Sequence, residues 1–425
     1  MKVLVIGSGA REHAFAWKLA QSVLVDEVVC APGNAGTAVE PKCRNIDIAA
    51  MDIPNLVLWA IENKPDLTVV GPEGPLCAGI VDQWPDYRLI VGPKRYPARL
   101  EGSKIFAREM MGMHNIPQPE WKAFDSVTAA EEWLMLQPKD KPWVVKANGL
   151  AAGKGVLICK NRTEAIEAVA KVVDEFGKDF LIEKFLTGRE VSLFLFCGKN
   201  GQIRPLETAQ DYKRALDGDE GGNTGGMGAY SPANHLSAEI IEEIIEAHRP
   251  LIADIGFVGS LYIGLMLTDE GWKVLEYNVR MGDPETQAVL PRMKTDIVPI
   301  FVAMANGDEY NGEIEWYEQA CVTVVMAAKG YPGTPKIGDD IEGLPLIEAI
   351  TRINADAKPI DGKVFYAGAK FSDDGDEILT NGGRVLSVSA IGKDHKRAAQ
   401  RAYQMVEQIS WPGEHHRTDI ASDVK

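Results

Sequence analysis

The sequence is most informative at residues 276–285, EYNVRMGDPE, where three carboxylates, a carboxamide and a guanidinium follow directly after an apolar run. Residues 260–268 and 272–278 are rich in strand-forming side chains and flank an Asp-Glu-Gly turn, which predicts a β-hairpin. Because side chains alternate along a strand, Glu276 and Asn278 would share one face, about 7 Å apart. Two oxygen ligands on a rigid face suit Mg²⁺, which prefers oxygen and is often completed by water and phosphate. An exposed hairpin edge with scattered polar residues explains the same pattern.

The composition is that of an acidic globular protein. The 425 residues are 45% apolar and 25% charged with a net charge of −16, and the length predicts about three domains. The negative charge argues against nonspecific binding to nucleic acid or to acidic membranes. No apolar run approaches the roughly 20 residues of a membrane span. The opening MKVLVIGSGA is unlike a signal peptide, and six dispersed cysteines without a CxxC pair indicate reduced thiols, so we expect a cytoplasmic protein.

Four strand-to-turn units open the chain. A β-branched run at residues 3–6 leads into GSGARE and a helical pattern, and similar units occur at residues 28–37, 67–76 and 88–93. Such units predict an open parallel α/β sheet, in which ligands collect at the carboxyl ends of the strands. Glu12 stands where the dinucleotide fingerprint requires a third glycine, which disfavours hydride chemistry. Taken singly, each glycine turn could equally be a tight loop without a ligand.

A glycine-rich hairpin is predicted in the middle of the chain. Residues 143–146 and 156–158 are typical of strands, and ANGLAAGKG lies between them with Lys146 and Lys154. Glycines permit close backbone approach and lysines add positive charge, as a flap over phosphates requires. The segment is not a Walker A loop, which needs GxxxxGK[ST] before a helix. A purely structural hairpin is the alternative.

Two further segments break the regular pattern. A strand at residues 180–186 ends at TGRE, where backbone amides could meet an adenine edge and Glu190 could accept from ribose hydroxyls or simply lie at the surface. Residues 211–230 include GGNTGGMG, in which five of eight residues are glycine. We therefore expect no regular element there, but either a disordered loop or a site lined by backbone. Lys213 and Arg214 beside it point to an anionic ligand.

The carboxy-terminal part reads as a small α/β unit. Strand patterns at residues 321–328, 364–370 and 385–390 are followed by a helical pattern near residues 395–409. Because this unit has few candidate catalytic residues, we expect it to support the site and close over it. The His-His pair at 415–416 is interpreted as part of a tail.

Six segments together resemble a known family: residues 7–12, 32–37, 71–76, 146–155, 211–232 and 280–287. They resemble the ATP-grasp carboxylate–amine ligases and, among these, the phosphoribosylamine–glycine ligases; RMGDPETQ and GGMGAYSP are the most specific stretches. The resemblance implies an ATP-grasp fold with three domains: an amino-terminal open parallel α/β (pre-ATP-grasp) domain at 1–101, an ATP-grasp domain at 102–326 with a flap subdomain at about 121–187, and a small carboxy-terminal α/β domain at 327–425. Some positions depart from the family pattern, and Tyr212, where histidine is usual, would alter how the loop packs on substrate.

The resemblance also implies a set of site residues. Glu276 and Asn278 would bind Mg²⁺ or Mn²⁺, and Arg280, Lys213 and Asp211 would serve the reaction. The ATP contacts would be Lys104, Lys146, Gly153, Lys154, Gly155, Glu183, Phe185, Leu186 and Glu190, with Glu183, Phe185 and Leu186 at the adenine hinge and Glu190 at the ribose. The substrate contacts would be Gly9, Arg11, Glu12, Asn34, Gly36, Glu73, Asp211, Gly225, Gly226, Met227, Arg280 and Asp283.

The reaction implied by the resemblance joins glycine to 5-phosphoribosylamine with ATP, through a glycyl phosphate, and yields glycinamide ribonucleotide. The partners are therefore small molecules, with no nucleic acid and no membrane, and we expect a monomer or a weak homodimer. Two alternatives remain at this stage: another ATP-grasp ligase, such as a biotin-carboxylase-like or formate-using enzyme, and a nucleotide-binding regulator that has lost catalysis. The second predicts damaged ligands, yet Lys146, Glu276, Asn278 and Arg280 are all present.

Overall fold

The computed structural model describes residues 1–151, 153–344 and 361–424. Position 152 of the predicted flap, and positions 345–360 and 425 of the predicted carboxy-terminal domain, lie outside the described residues. Within the described part, no helix is both long enough and apolar enough to cross a lipid bilayer.

The amino-terminal domain is the predicted parallel sheet. Its five strands lie in the order β3-β2-β1-β4-β5 and pair in parallel: β1 (Lys2–Gly7), β2 (Glu27–Pro32), β3 (Cys43–Asn45), β4 (Leu67–Val70) and β5 (Leu89–Val91). The crossover helices are α1 (Ala10–Ala20), α2 (Ala35–Val39), α3 (Ile53–Asn63), α4 (Glu73–Cys77), α5 (Ile80–Gln83) and α6 (Arg95–Gly102). The central strands are continuous apolar runs because helices cover both faces of the sheet.

Two antiparallel sheets follow. The first has the order β6-β9-β7-β8, and the second β11-β10-β16-β17. Their strands are β6 (Trp121–Phe124), β7 (Trp143–Ala147), β8 (Val156–Cys159), β9 (Phe180–Lys184), β10 (Arg189–Cys197), β11 (Ile203–Pro205), β16 (Gly259–Thr268) and β17 (Gly271–Asn278). The helices are α7 (Lys104–Met113), α8 (Val127–Met135), α9 (Arg162–Phe176) and α10 (Ala238–Ile255). The predicted hairpin is thus confirmed as β16–β17, and the Ser103 side chain caps α7 by accepting from the Phe106 amide.

A third antiparallel sheet joins the glycine-rich segment to the carboxy-terminal part in the order β12-β15-β18-β22-β19. Its strands are β12 (Gln210–Asp211), β15 (Gly228–Ser231), β18 (Ala320–Ala327), β19 (Gly362–Tyr366) and β22 (Arg384–Gly392); β20 (Ala369–Phe371) and β21 (Ile378–Thr380) form a separate pair. The remaining helices are α11 (Glu285–Val289), α12 (Ile297–Asn306) and α13 (His395–Val406), with short 3₁₀ turns at Asp217–Asp219 and Leu290–Arg292.

The glycine-rich segment is more regular than its sequence predicts. It contains four short strands: β12, β13 (Arg214–Leu216), β14 (Glu220–Asn223) and β15. The expectation of no regular element was therefore wrong. β13 and β14 pair with each other, in a separate ribbon. β15 forms because it is held by β18, whose eight residues are all buried, and β12 then pairs with β15. A neighbouring sheet here overrides the low strand propensity of glycine.

One hydrophobic core runs from the amino-terminal sheet into the β10–β16–β17 sheet. Leu4 and Ile6 of β1 belong to the same buried cluster as Leu193 of β10 and Ile263 of β16, and each of these residues has no exposed surface. This shared core places the carboxyl end of the parallel sheet beside the carboxyl end of β17. Arg11 and Glu73 of the amino-terminal part and the 276–285 stretch consequently face the same cleft.

Candidate active site

A cleft of about 1300 Å³ lies between the β6–β9 sheet and the β10–β17 sheet, and residues from the amino-terminal, central and carboxy-terminal parts of the chain line it. Two glycine-rich segments border its mouth. We call residues 147–155, between β7 and β8, the flap, and residues 211–228 the glycine-rich loop. The two touch each other, since a Cβ on Gly153 would lie 2.5 Å from the Thr224 carbonyl oxygen. Asn223 Nδ2 also donates to the carbonyl oxygen of Val156, the residue directly after the flap, at 3.0 Å.

The carboxyl end of β17 forms one wall of the cleft. Lys213 Nζ lies 3.3 Å from Glu190 Oε2 and 3.4 Å from Glu276 Oε1. Burial alone would raise the pKa of Glu276, but the ammonium groups of Lys213 and Lys146 outweigh it and lower this pKa to about 2. Although burial opposes it, Glu190 and Asp211 raise the pKa of Lys213 well above its usual value. The pair is therefore fully charged at neutral pH, as a site for a polyanion with a cation requires.

A bulge in β17 anchors the lysine on the opposite wall. The register shifts between Gly264 and Leu265, so that Leu275 has no partner in the ladder. Its carbonyl oxygen accepts instead from Lys146 Nζ at 3.0 Å and from Arg108 Nη2 at 2.7 Å. Burial lowers the pKa of Lys146, although Glu183 opposes that shift.

Glu183 sits behind Lys146 in the interior. Its carboxylate lies 2.8 Å from Lys146 Nζ and 2.6 Å from Arg108 Nε, and the side chain is 2% exposed. The sequence placed this residue at the adenine hinge, but its carboxylate is committed to the two cations. Any contact from Glu183 to a base would have to come from its backbone, which continues to Phe185 and Leu186 on the cleft surface.

Lys104 lies at the first position of α7. Its Nζ donates to the Gly149 carbonyl oxygen of the flap at 3.0 Å, and burial lowers its pKa despite the nearby Glu276. Asn148 continues the same junction, since its Oδ1 accepts from the Ser103 hydroxyl and from the Ile105 amide. The flap is therefore tied to α7 at its first residues. At its tip, Lys154 is exposed and forms no ion pair with any part of the chain that the structure describes.

Arg280 is held between two carboxylates. Its Nε lies 3.1 Å from Glu73 Oε2 and its Nη2 lies 2.7 Å from Glu101 Oε1. Burial raises the pKa of Glu101 to about 7 although Arg280 opposes the shift, whereas Arg280 and Arg11 overcome burial at Glu73 and lower that pKa to about 2. Glu101 was missed in the sequence because LEGSK, at the end of α6, carries no recognisable motif.

Asp211 and Glu285 form an acidic region behind Lys213. Burial raises the pKa of Asp211 to about 8 although Lys213 opposes the shift, and burial also raises the pKa of Glu285. Glu285 Oε1 accepts from the Ser192 hydroxyl at 3.4 Å. An ammonium group entering here would replace lost solvation and favour ionised Asp211.

The innermost amino-terminal turns do not reach the cleft. Glu12 accepts from the Gly9 amide at 2.6 Å and pairs with Arg11 Nε at 2.6 Å, while a Cβ on Gly71 would collide with the Glu12 side chain. Asn34 caps α2 and donates to the Ser8 and Tyr366 carbonyl oxygens. Within the described residues, the predicted substrate contacts outside the cleft lining are Gly9, Glu12, Asn34, Gly36, Gly226 and Met227.

The other predicted residues come together as expected. They line one cavity although they come from distant parts of the chain, and a hydrogen bond joins Arg11 to the carbonyl oxygen of Met281, 270 positions away. The predicted residues on the cleft surface are Arg11, Glu73, Lys104, Lys146, Gly153, Lys154, Gly155, Glu183, Phe185, Leu186, Glu190, Asp211, Lys213, Gly225, Glu276, Asn278, Arg280 and Asp283.

The carboxy-terminal domain contributes an arginine that the sequence did not suggest. Arg384 Nη2 lies 3.1 Å from Asp283 Oδ2, and its Nη1 donates to the carbonyl oxygens of Asp283 and Gly225. Tyr331 adds a second contact, because its hydroxyl accepts from the Gly225 amide at 2.8 Å. The only sequence feature that could have marked Arg384 as a site residue is the glycine pair directly before it, and such a pair is not specific for a functional site.

The segment after α13 is also packed against the glycine-rich loop, which corrects its interpretation as a tail. Arg417, whose side chain is 1% exposed, pairs with Asp219 at 2.8 Å and with Asp419 at 2.7 Å. The Tyr212 hydroxyl donates to Asp423 Oδ1 at 2.5 Å and accepts from the Ala421 amide at 2.9 Å. Tyr212, the departure from the family pattern, thus contacts the carboxy-terminal segment.

The donor set at the end of β17 fits a hard cation that shares its ligands with phosphate. Glu276 offers an ionised carboxylate and Asn278 an amide oxygen, both on the cleft surface. Nowhere in the described residues do three His, Cys, Asp or Glu side chains form a group that could hold a metal by itself. Two protein ligands with open positions match Mg²⁺, which keeps waters and binds nucleotide phosphates.

Comparison with known proteins gives the same family that the sequence motifs resemble. Family models of phosphoribosylglycinamide synthetase match in three parts: the N domain at residues 1–101, the ATP-grasp (A) domain at residues 102–286, and the C domain at residues 321–423. Phosphoribosylamine–glycine ligase of Salmonella typhimurium is 46% identical over 433 residues, covering 99% of this chain and 98% of that protein. The Escherichia coli K12 enzyme of the same name is 45% identical with the same coverage.

Solved structures lead to the same fold and the same family. The crystal structure of phosphoribosylamine–glycine ligase from Thermotoga maritima superposes with a TM-score of 0.81 at 30% identity, covering 99% of this chain and 100% of that one. The biotin carboxylase domain of Hydrogenobacter thermophilus 2-oxoglutarate carboxylase, at 17% identity, a TM-score of 0.71 and coverage of 97% and 91%, shares the fold alone. The ATP-grasp fold and the family inferred from the motifs are confirmed. The chain belongs to the phosphoribosylamine–glycine ligase family, whose members are ATP-grasp carbon–nitrogen ligases of purine biosynthesis.

Proposed function

We propose that the cleft joins glycine to 5-phosphoribosylamine at the expense of ATP, with the residues around Glu276 as its catalytic centre. One observation carries the proposal: lysines from three separate elements, Lys104, Lys146 and Lys213, surround one ionised carboxylate on the cleft wall. In a protein of net charge −16, such a local concentration of cations needs a polyanionic ligand.

The nucleotide would lie between the two antiparallel sheets. The adenine would meet the backbone after β9 at Phe185 and Leu186, and the ribose would meet Glu190. Lys104 and Lys146 would bind phosphate oxygens, and the flap, with Gly153, Lys154 and Gly155, would cover them. Support comes from the fixed orientation of Lys146, which Glu183 and the Leu275 carbonyl oxygen hold in place before any ligand arrives.

Glu276 and Asn278 would hold Mg²⁺ or Mn²⁺. A divalent cation in this position neutralises phosphate charge and polarises the phosphoryl group. A measurement of activity with each metal would decide which of the two this chain prefers.

Glycine would bind between Arg280 and Asp211. The guanidinium of Arg280 would hold the glycine carboxylate, and Glu73 and Glu101 already fix its orientation. Asp211 would accept the glycine ammonium group, whose charge would return the pKa of this carboxyl toward its usual range. The acyl oxygen would then face the γ-phosphate.

Two transfers would follow. A glycine carboxylate oxygen attacks the γ-phosphorus, the bond to the ADP oxygen breaks, and glycyl phosphate forms. The amine of phosphoribosylamine next attacks the acyl carbon, phosphate leaves, and the amine loses one proton as the amide bond forms. Lys213 and Arg280 would stabilise the charge on the transferring phosphoryl group. The flap and the glycine-rich loop would exclude water, which otherwise hydrolyses the acyl phosphate.

The aminosugar phosphate would occupy the amino-terminal side of the cleft. Of the residues predicted there, Arg11 and Glu73 reach the surface, so direct contacts would come from them. Asn34 and Gly36 would act only by fixing the turn, since the Asn34 side chain is engaged by Ser8 and Tyr366. The cytoplasmic location and the monomer or weak homodimer stay predictions.

Product analysis tests the proposal directly. With ATP, 5-phosphoribosylamine and glycine, we expect equal amounts of glycinamide ribonucleotide, ADP and phosphate; turnover with bicarbonate or formate in place of glycine would support a different ATP-grasp ligase. Glu276→Ala should abolish ligation with the fold retained by circular dichroism, and Lys146→Met should weaken ATP binding. Near-normal turnover of Glu276→Ala would contradict the metal assignment.

A further inference from the structure

One carboxylate outside the predicted site contacts three consecutive residues of the 276–285 stretch. Glu101 Oε2 accepts from the Val279 amide at 2.7 Å, and Oε1 accepts from Arg280 Nη2 at 2.7 Å. The Asn278 amide is satisfied in the orientation that directs its Nδ2 to Glu101 Oε1 at 3.0 Å and to the Tyr277 carbonyl oxygen at 3.2 Å. Residues 278, 279 and 280 are therefore all held by the same side chain of α6.

This arrangement matters because the two ends of a carboxamide differ. Only the oxygen of Asn278 can bind a hard cation, while its nitrogen is a donor and would repel one. An unconstrained amide can rotate by half a turn and present either end. A carboxylate is a pure acceptor when ionised, so Glu101 accepts only the nitrogen end and leaves Oδ1 on the side away from itself. Burial sharpens this preference, since Glu101 is 8% exposed and water cannot easily substitute.

We propose that Glu101 is a positioning residue, which orients the Asn278 amide oxygen toward the metal and the Arg280 guanidinium toward the substrate carboxylate. The proposal rests on the assignment of Asn278 as a metal ligand. It extends the site to α6, in a part of the chain that the motifs did not mark.

Metal binding is the measurement that tests it. Free Mn²⁺ is followed by electron paramagnetic resonance while the enzyme is titrated with Mn²⁺ in the presence of ADP. We expect Glu101→Gln to weaken Mn²⁺ binding by about tenfold or more, as loss of an outer-shell partner of a metal ligand typically does. The reason is that a glutamine at this position places its own donor against the donors of Asn278, Val279 or Arg280.

An exchange of the two groups provides the decisive variant. In Glu101→Gln/Asn278→Asp the amide and the carboxylate change places, so the donor at position 101 faces the carboxylate at position 278 and an oxygen still faces the metal, although Arg280 Nη2, which shares Glu101 Oε1, regains no acceptor. This double variant should recover part of the Mn²⁺ affinity that Glu101→Gln loses, and the gain should exceed that of Asn278→Asp alone over the unaltered chain. A general disturbance of the fold would not be repaired in this way, so failure to recover would overturn the proposal.

Controls separate this proposal from the one on which it rests. Glu40→Gln removes another buried carboxylate, which bonds His13 and Lys363 outside the cleft, and should leave Mn²⁺ affinity unchanged. If Asn278→Ala binds Mn²⁺ like the unaltered chain, the metal assignment itself is wrong. If Asn278→Ala is weakened but Glu101→Gln is not, the metal assignment stands and the role of Glu101 is refuted. Should Glu101→Gln not fold, Glu101→Asp, shorter by one methylene, carries the same expectation.

Discussion

The flap and the glycine-rich loop are alike in sequence but are built differently. In the flap, a Cβ added to Gly149 would meet nothing within 4 Å, and Lys154 lies exposed at the tip. In the glycine-rich loop, a Cβ on Gly225 would lie 3.0 Å from Arg384 Cζ, and Arg417 fixes the far end through Asp219. Gly149 at the base of the flap is therefore unconfined, whereas Gly225 of the glycine-rich loop is closely packed against the carboxy-terminal part of the chain.

The flap and the glycine-rich loop, which are the two lids of the cleft, should therefore differ in the free energy needed to open them. The flap is connected to the rest of the molecule mainly at its base, through Lys104 and Asn148. The glycine-rich loop is bonded to the carboxy-terminal domain along its length, through Tyr331, Arg384 and Arg417. Segments with few buried contacts open at low free energy. We expect the flap to admit ATP while the loop stays in place.

The largest difference between the lids should appear when their lysines are removed. Lys213→Met should lower kcat by about 10²- to 10³-fold, since on the proposed function it would remove a charge that Glu276 holds in place beside the transferring phosphoryl group. Lys154→Met, its counterpart in the flap, should change KM for ATP by less than about fivefold, because an exposed charge contributes about 1 kcal/mol at most. Steady-state kinetics with saturating glycine provides both values. Equal losses in kcat would refute the comparison.

Release of the glycine-rich loop should have the next largest effect. Arg417→Met breaks the ion pairs to Asp219 and Asp419 and should lower kcat by about tenfold, equivalent to about 1.4 kcal/mol, because Lys213 is less well held. Limited proteolysis should then cut within residues 213–224 sooner than in the unaltered chain. Arg401→Met, which removes the exposed pair with Asp361, is the matched control and should leave both measurements unchanged.

Contact between the lids gives a smaller effect. Gly153 has φ = +78° and packs against the Thr224 carbonyl oxygen, so Gly153→Ala adds backbone strain of about 1 kcal/mol and a steric clash on closure. We expect KM for ATP to rise severalfold. Gly149→Ala also has a positive φ, +120°, but meets no neighbour, so it reports the strain without the clash. A rise in KM as large for Gly149→Ala would show that lid contact is unimportant.

The smallest effect concerns pH and the base of the glycine-rich loop. Burial raises the pKa of Asp211 to about 8, above the value of about 3.9 for an unfolded chain, so the folded state binds more protons between these limits. Stability from this group is thus present at low pH and is lost as pH rises toward 8. Asp211→Asn should raise the melting temperature relative to the unaltered chain, and more at pH 8.5 than at pH 5.

Glu73, whose pKa shifts in the opposite direction to that of Asp211, provides the comparison. Arg280 and Arg11 lower the pKa of Glu73 to about 2 against the effect of burial, so the folded state favours ionised Glu73. Its contribution is present above the unfolded pKa and is lost as pH falls toward 2. Glu73→Gln should therefore lower the melting temperature at pH 7, with a difference that shrinks in acid. Similar pH trends for Asp211→Asn and Glu73→Gln would contradict the assignment of these shifts.

The sequence predicted the fold where local patterns agree with tertiary structure. The β16–β17 hairpin and the parallel amino-terminal sheet follow from alternation and turn chemistry, which are properties of short segments. The strands of the glycine-rich loop were not predicted, because β15 and its partner β12 depend on β18, almost a hundred residues away in sequence. No local signal carries that information.

The same distinction applies to the site. Glu276, Asn278 and Lys146 were found because they lie in dense motifs or at strand ends. Glu101 and Arg417 were missed, since each acts through a partner more than 150 positions distant, as in the contacts Glu101–Arg280 and Arg417–Asp219. Asn34 and Glu12 were recognised as parts of a motif, but the structure gives their side chains partners within the protein.

The position of Glu12 bears on the stoichiometry of ligand binding. Its carboxylate occupies the space between Gly7, Gly9 and Gly71 and takes the Gly9 amide that a pyrophosphate would otherwise use. The parallel sheet thus carries its own internal anion where related sheets receive a dinucleotide. Calorimetric titration with ADP should give a stoichiometry of one nucleotide per chain. NAD⁺ at the same concentration should add no second binding site, since Glu12 already occupies the anion site of the turn at Gly9.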